Sequence, residues 1–239
     1  MIMTGVMLLR KLLNTLYITS PEAHLGRDGE NIVVRIDDEV RFRIPIHNLE
    51  SVVTFGYVGA SPSLMYLCAE RGVALSFLSP SGRLRAKMAT PTKGNVLLRR
   101  RQYYLSDDEE ETLDLARNFV FGKLHNCRSV LRRYLRDYSD SAGGKHVGSV
   151  VTRLSIQLEK LLNVNDLDAL RGIEGEGART YYEVFNHLIL ESKEDFYFGG
   201  RSRRPPLDLP NAVLSFLYSL LAHDCTAALE TVGLDPQVG

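Results

Sequence analysis

Apolar positions come in short runs with a period of two over the first hundred residues, and in long runs with a helical period after that. Ile32-Val33-Val34-Arg35-Ile36 follows the turn signal Arg27-Asp28-Gly29-Glu30 and predicts a strand. Val40-Arg41-Phe42-Arg43-Ile44 alternates apolar and basic side chains, the pattern of a half-buried strand. Asp37-Asp38 between the two predicts a hairpin turn. Ser51 to Tyr57 is a further β-branched run. Ser61-Pro62 supplies an N-cap and a proline at the first helical position, so Leu64, Met65, Leu67 and Cys68 fall on a short amphipathic helix that Gly72 ends. Val73 to Leu78 returns as a strand, and strand, capped helix, strand is a crossover unit. Ser79-Pro80-Ser81-Gly82 is a turn, and Arg83 to Ala89 leaves it as a basic strand.

The pattern then changes. Ser106-Asp107-Asp108-Glu109 matches a capping box with acids in the first turn. Leu113, Ala116, Val120, Leu124, Cys127, Leu131, Tyr134, Leu135 and Tyr138 hold one helical face. A polar break from Ser139 to Gly144 precedes a second helix from Val150 to Leu162. A third begins near Asn165 and runs past Glu174 to Ile189. The loop Arg203-Arg204-Pro205-Pro206 precedes a fourth, from Asn211 to Thr231. The fold class is therefore α+β, an N-terminal β-rich domain over residues 1–104 followed by an all-helical domain over residues 105–239.

Charge sharpens this division. Among 239 residues Lys+Arg and Asp+Glu both number 29, but residues 1–105 carry 14 basic and 8 acidic side chains and the remainder the opposite excess. From Arg71 to Leu105 there are eight basic residues and no acid, which points to a surface facing polyanions. Cys68, Cys127 and Cys225 are odd in number and far apart, so a disulfide framework or zinc cluster is not expected and a reducing cytoplasm fits. No uninterrupted apolar run reaches 18 residues, so no membrane span is expected. Met1 to Leu9 is too short for a signal peptide, and Met3 or Met7 serves equally well as a start.

Three segments can carry chemistry. In Leu170-Arg171-Gly172-Ile173-Glu174-Gly175-Glu176-Gly177, glycines interrupt a helical pattern at a cost of about 1 kcal/mol each, as if something approaches the backbone closely. A carboxylate between glycines and flanked by arginines suits a metal ligand beside a phosphate site; the alternative is a kinked helix with a solvated Glu174. Arg201, Arg203 and Arg204 follow Gly199-Gly200 and offer planar forks to phosphate oxygens, or else form a solvated loop. Arg99-Arg100-Arg101 beside Tyr103-Tyr104 suits nucleic-acid backbone and unpaired bases, or else pairs with the acidic run Asp107 to Glu111. Glu183 and His187 stand four apart and could share a metal, though such pairs are usually surface contacts. His223 lies on an apolar helix, where a structural role is the commoner one.

Several segments in order resemble one family: LLNTLYITSPEAHL, LMYLCAERGVALSFLSPSGR, GNVLLRRRQYY, LRGIEGEGARTYYEVFNHLIL, RSRRPPLDLPNAVLSF and ALETVGLDPQVG. The chain resembles the CRISPR-associated adaptation nuclease and integrase, the universal first Cas protein, in its type I-C form. The resemblance implies a homodimer formed by the N-terminal domains, a small ferredoxin-like partner subunit, an iron–sulfur RecB-like exonuclease as helper, and insertion of short DNA into a CRISPR array. It implies Mg²⁺ or Mn²⁺ held by a Glu, a His and an Asp, with Glu174 as the Glu. It also implies Arg171, Arg201, Arg203 and Arg204 as DNA contacts, beside Arg99 and Arg100 from the basic run. In the family the His and Asp ligands follow the segment that reads here Gly233 to Gly239. The residues given are therefore expected to lack two ligands, and the rival reading is a DNA-binding scaffold without catalysis.

Overall fold

The Asp37-Asp38 turn forms as the sequence demands. Both residues take left-handed backbone, with φ of 52° and 61°, which lets a two-residue loop follow the twist of its strands. The turn joins β3 (Asn31–Ile36) to β4 (Glu39–Pro45) in antiparallel register, Ile36 opposite Glu39 and Ile32 opposite Ile44. On the other edge of β3 lies β2 (His24–Asp28), and β6 (Gly59–Ala60) pairs parallel with β2. These four make one sheet. The computed structural model describes residues 15–89 and 95–238; Met1 to Leu9 and Lys93, which entered the sequence reading, lie outside them.

A second sheet has the order β1-β5-β7-β8. In it β1 (Thr15–Ile18), β5 (Ser51–Phe55) and β7 (Ala74–Leu78) run parallel, and β8 (Leu84–Lys87) is antiparallel to β7. The expected crossover from β5 to β7 carries α1 (Pro62–Arg71). Ser61 Oγ accepts the Leu64 N–H at 3.3 Å, and Gly72 closes the helix with φ of 69°. Leu25, Ile32, Val52, Leu64, Leu67 and Leu75 are fully buried between these elements, each contributing about 2 kcal/mol of hydrophobic stabilisation. The half-burial expected of β4 does not occur. Val40 and Phe42 are 50% and 49% exposed; β4 is an edge strand, and only its Ile44 end packs against the core among the described residues.

Six helices follow. α2 (Val96–Asp107) was not expected, and it explains two corrections. The helical run begins at residue 96, well before residue 105. The cap of α3 (Glu109–Tyr138) is Asp108, whose Oδ1 accepts the Glu110 and Glu111 N–H groups at 3.0 Å each. Ser106 instead donates back to the Tyr103 carbonyl inside α2. The apolar face read from Leu113 onward packs against α4 (Gly144–Lys160), which starts six residues earlier than expected because Val147 as well as Val150 is buried. α5 (Leu167–Glu183), α6 (Phe185–Leu188) and α7 (Leu209–Val232) complete the order.

The chain divides into two compact units, each built from two stretches. The first takes the residues up to Asn95 together with Tyr218–Leu234; the second takes Val96–Leu217 together with Asp235 onward. Within the first, β8 and α7 are joined by an ion pair between Lys87 and Glu230. Within the second, the Gln102 amide of α2 clasps the returning segment. Its Nε2 donates to the carbonyls of Asp235 (2.8 Å) and Val238 (3.1 Å), and its Oε1 accepts the Asp235 N–H at 2.8 Å. α7 also corrects the membrane argument. It is 24 residues long with mean hydropathy 1.4 over its most apolar window, enough by length and composition to cross a bilayer. Asn211, Ser215, Ser219, His223 and Asp224 interrupt its apolar run, so a count of uninterrupted residues passes over it.

Candidate functional site

α5 carries the glycine-rich segment as a continuous helix, capped by Asp166, which accepts the Ala169 N–H at 2.7 Å. The close approach expected there is real at one glycine. A Cβ on buried Gly177 would overlap the Leu124 side chain of α3 and stand 3.1 Å from Gln157 Oε1 of α4. The visitor is thus the neighbouring pair of helices. Gly172 and Gly175 face open space, so two positions beside Glu174 carry no side chain.

Glu174 is half-buried, and its Oε1 receives the Lys123 ammonium of α3 at 2.5 Å. Sequence reasoning did not single out Lys123, which sits on the polar side of α3 without any local motif. Arg171 is exposed and pairs with Asp168 at 2.8 Å, one turn back on the same helix. On α2, Arg101 takes the second of its two readings, with Nη2 at 2.8 and 2.6 Å from the two Glu111 oxygens. Arg100 lies over the Tyr104 ring, 5.2 Å from its centroid, with Nε donating to the Tyr104 hydroxyl at 2.9 Å. Arg99 is half-buried on the same helix. Its charge helps hold the Asp235 carboxyl below the usual carboxylate range, behind the hydrogen bonds from Tyr103 and the Gln237 N–H.

The arginine loop is fixed at both ends. Before it, Phe198 is buried against Tyr182 and Phe185, and the Asn186 side chain brackets its backbone at 2.7 and 2.8 Å. After it, Asp208 and the fully buried Asn211 lie at the start of α7. Arg201 turns inward, with Nη1 donating to the Ser202 carbonyl (2.6 Å) and to Asn211 Oδ1 (2.8 Å). Arg203 and Arg204 are exposed. Burial disfavours the Asp208 anion, but hydrogen bonds from Asn211 and the Gly199 N–H, with Arg201 nearby, outweigh it and hold the carboxyl below its ordinary value.

The histidines fall out differently from the sequence spacing. Glu183 bonds His146, Nε2 to Oε1 at 3.1 Å, and Arg153 at 2.9 and 3.2 Å, rather than His187. Hydrogen bonds from His146 and then Arg153 keep the Glu183 carboxyl below its usual range. His187 stands edge-on to His146, with ring centroids 5.6 Å apart.

The family profile described as CRISPR associated protein Cas1 matches residues 16–239. The chain belongs to the Cas1 family. It is 44% identical over 231 residues to a CRISPR-associated endonuclease Cas1 of Chlorobaculum tepidum, covering 97% of this chain and 67% of the relative. It is 46% identical over 235 residues to one of Rhodospirillum rubrum, again covering 97% and 67%. The chain thus spans about two thirds of the length of these relatives. The solved structure of a Cas1 protein from Thermotoga maritima superposes with a TM-score of 0.73 at 21% identity, covering 95% of this chain and 68% of that one. It has the same fold, strands first and helices after.

Cas1 nucleases are generally metal-dependent, and the described residues around Glu174 do not by themselves fit an ion. Among them no three His, Cys, Asp or Glu side chains gather to hold an ion. Glu174 itself is engaged by Lys123, a cation already standing on it.

Proposed function

We propose that this Cas1-family chain serves CRISPR spacer acquisition as part of a metal-dependent DNA endonuclease and integrase, with Mg²⁺ or Mn²⁺ as its ion. The observation that carries this reading is the family match over nearly the whole chain, joined to a half-buried Glu174 borne on the glycine-rich turn of α5. The chain's own residues have binding tasks. Arg203 and Arg204 meet phosphates, Arg100 and Tyr104 offer a stacked cation and ring, and Arg171 adds charge one turn from Glu174. The partners are DNA, a second copy, a small ferredoxin-like adaptation subunit and a RecB-like iron–sulfur exonuclease. Residues 1–104 supply the dimerisation domain, since among the described residues β4 offers an unpaired edge with Val40 and Phe42 exposed. The compartment is the reducing cytoplasm, which suits thiols such as Cys68, whose burial pushes its pKa up to about 11.

The Lys123–Glu174 pair favours the scaffold reading for residues 1–239 alone. One carboxylate offers at most two oxygens, while Mg²⁺ takes about six ligands. These residues by themselves therefore dimerise and bind DNA without nicking it, and catalysis requires ligands beyond the ones described. The test uses one sample whose mass shows that it ends at Gly239. Light scattering should give a dimer, and supercoiled plasmid with Mn²⁺ should stay intact. Nicking that Glu174→Ala abolishes would show that residues inside this chain complete the site.

A further inference from the structure

Between Gly199 and Asn211 the chain goes out and back, and its two arms are zipped around one buried amide. Asn211 is fully buried, and its side chain reaches both arms. Nδ2 donates to the Gly200 carbonyl at 2.7 Å and to the Asp208 carboxylate at 2.8 and 2.9 Å. Oδ1 accepts the Arg201 guanidinium at 2.8 Å and the Ser202 N–H at 3.0 Å. The clasp is doubled around this centre. Asp208 also accepts the Asn211 N–H (2.8 Å) and the Gly199 N–H (3.2 Å), and Ser202 Oγ accepts the Leu207 N–H at 3.0 Å. What projects beyond it is the exposed tip Arg203-Arg204-Pro205-Pro206.

A buried amide with every donor and acceptor in use is costly to lose, because its partners are then left unpaired. Such an arrangement could serve the fold alone. Its placement argues for more, since the bonds of Gly199, Gly200, Arg201 and Ser202 to the returning arm all cross the neck of the loop that presents two arginines, and the Asp208–Asn211 bonds tie that returning arm together. Two prolines stiffen the far side of that tip. Side chains that are ordered before contact lose less freedom on binding.

We propose that Asn211, with Asp208 and Arg201, is a positioning clamp that holds Arg203 and Arg204 as a preorganised phosphate-gripping tip. Arg201 then acts through the loop and not on DNA. This rests on the reading of the loop as a DNA contact.

The experiment measures binding of the full chain to a short fluorescein-labelled DNA duplex over a salt series, in four proteins. They are the unsubstituted chain, Arg203→Ala with Arg204→Ala, Asn211→Ala, and the triple variant. The double arginine variant should lower the log–log salt slope by about 1.8, or 0.9 for each lost phosphate contact. Asn211→Ala should weaken binding roughly tenfold when the arginines are present. It should have no further effect when they are absent. An equal loss in both backgrounds would overturn the clamp and make Asn211 a fold residue only. An unchanged slope in the double arginine variant would overturn the DNA reading of the loop, and the clamp with it. If Asn211→Ala does not fold, Ser202→Ala, which removes only the bond to the Leu207 N–H, carries the same comparison.

Discussion

Glu174 and His223 show how differently a single polar side chain can stand in this chain. Glu174 shares a half-exposed ion pair with Lys123, and such pairs contribute about 0–1 kcal/mol. Glu174→Ala should therefore leave the urea midpoint nearly unchanged, and the same substitution in a Cas1 protein that carries the remaining ligands should abolish spacer acquisition in cells; undiminished acquisition would remove it from the site. His223 is 7% exposed on α7, and among the described residues neither ring nitrogen has a hydrogen-bond partner. Burial lowers its pKa first; Asp224 and Glu230 pull it up and Lys87 pushes it down. A folded pKa below the unfolded value means that the unfolded chain takes the proton first. The stability of the neutral ring is complete above about 6.5 and is lost as pH falls through the lowered folded value. His223→Leu should flatten that part of the stability–pH curve and raise neutral stability by about 1 kcal/mol, read as the difference between the two proteins' urea midpoints. Glu174 was legible as a candidate because a carboxylate among glycines is odd in a helix. Asn211 was not, since what marks it is its joining of Asp208 on its own arm to Gly200, Arg201 and Ser202 on the other, and no spacing rule encodes that second set.

The helices and strands that the sequence made legible are those with a buried stripe or a chemically marked end. Ser61-Pro62 and Gly72 delimit α1, the paired aspartates make the β3–β4 turn, and the apolar face from Leu113 onward is the buried side of α3. α2 escaped because it buries no residue, so no apolar periodicity exists to be read. β2 escaped because His24 to Asp28 has little β-branched character. In α5 the three glycines looked alike in sequence, yet they differ in what surrounds them. Gly177→Ala should cost about 1–3 kcal/mol, because the Leu124 contact leaves no room. Gly172→Ala and Gly175→Ala, facing open space, should each stabilise by up to about 1 kcal/mol. Urea midpoints of the three variants decide it, and equal effects at all three positions would contradict the packing described here.

The open edge at β4 bears on assembly. If the proposed dimer forms there, Phe42→Lys should shift light scattering from dimer to monomer, because a charge facing its own copy opposes pairing. An unchanged dimer would place the interface elsewhere. The interleaved division of the chain has a further meaning, one that concerns time. The first unit takes its last helical stretch from Tyr218–Leu234, and the second regains Asp235 only after that stretch has been made. During synthesis the strands emerge first but wait for a helix more than a hundred residues behind them, a delay of about ten seconds at ordinary elongation rates. Neither unit can finish on the ribosome before the other's residues have appeared. The nascent chain therefore spends that interval before β8 can meet Glu230, its ion-pair partner on α7, and residues 1–104 made alone should be cut by protease faster than the same residues within the full chain.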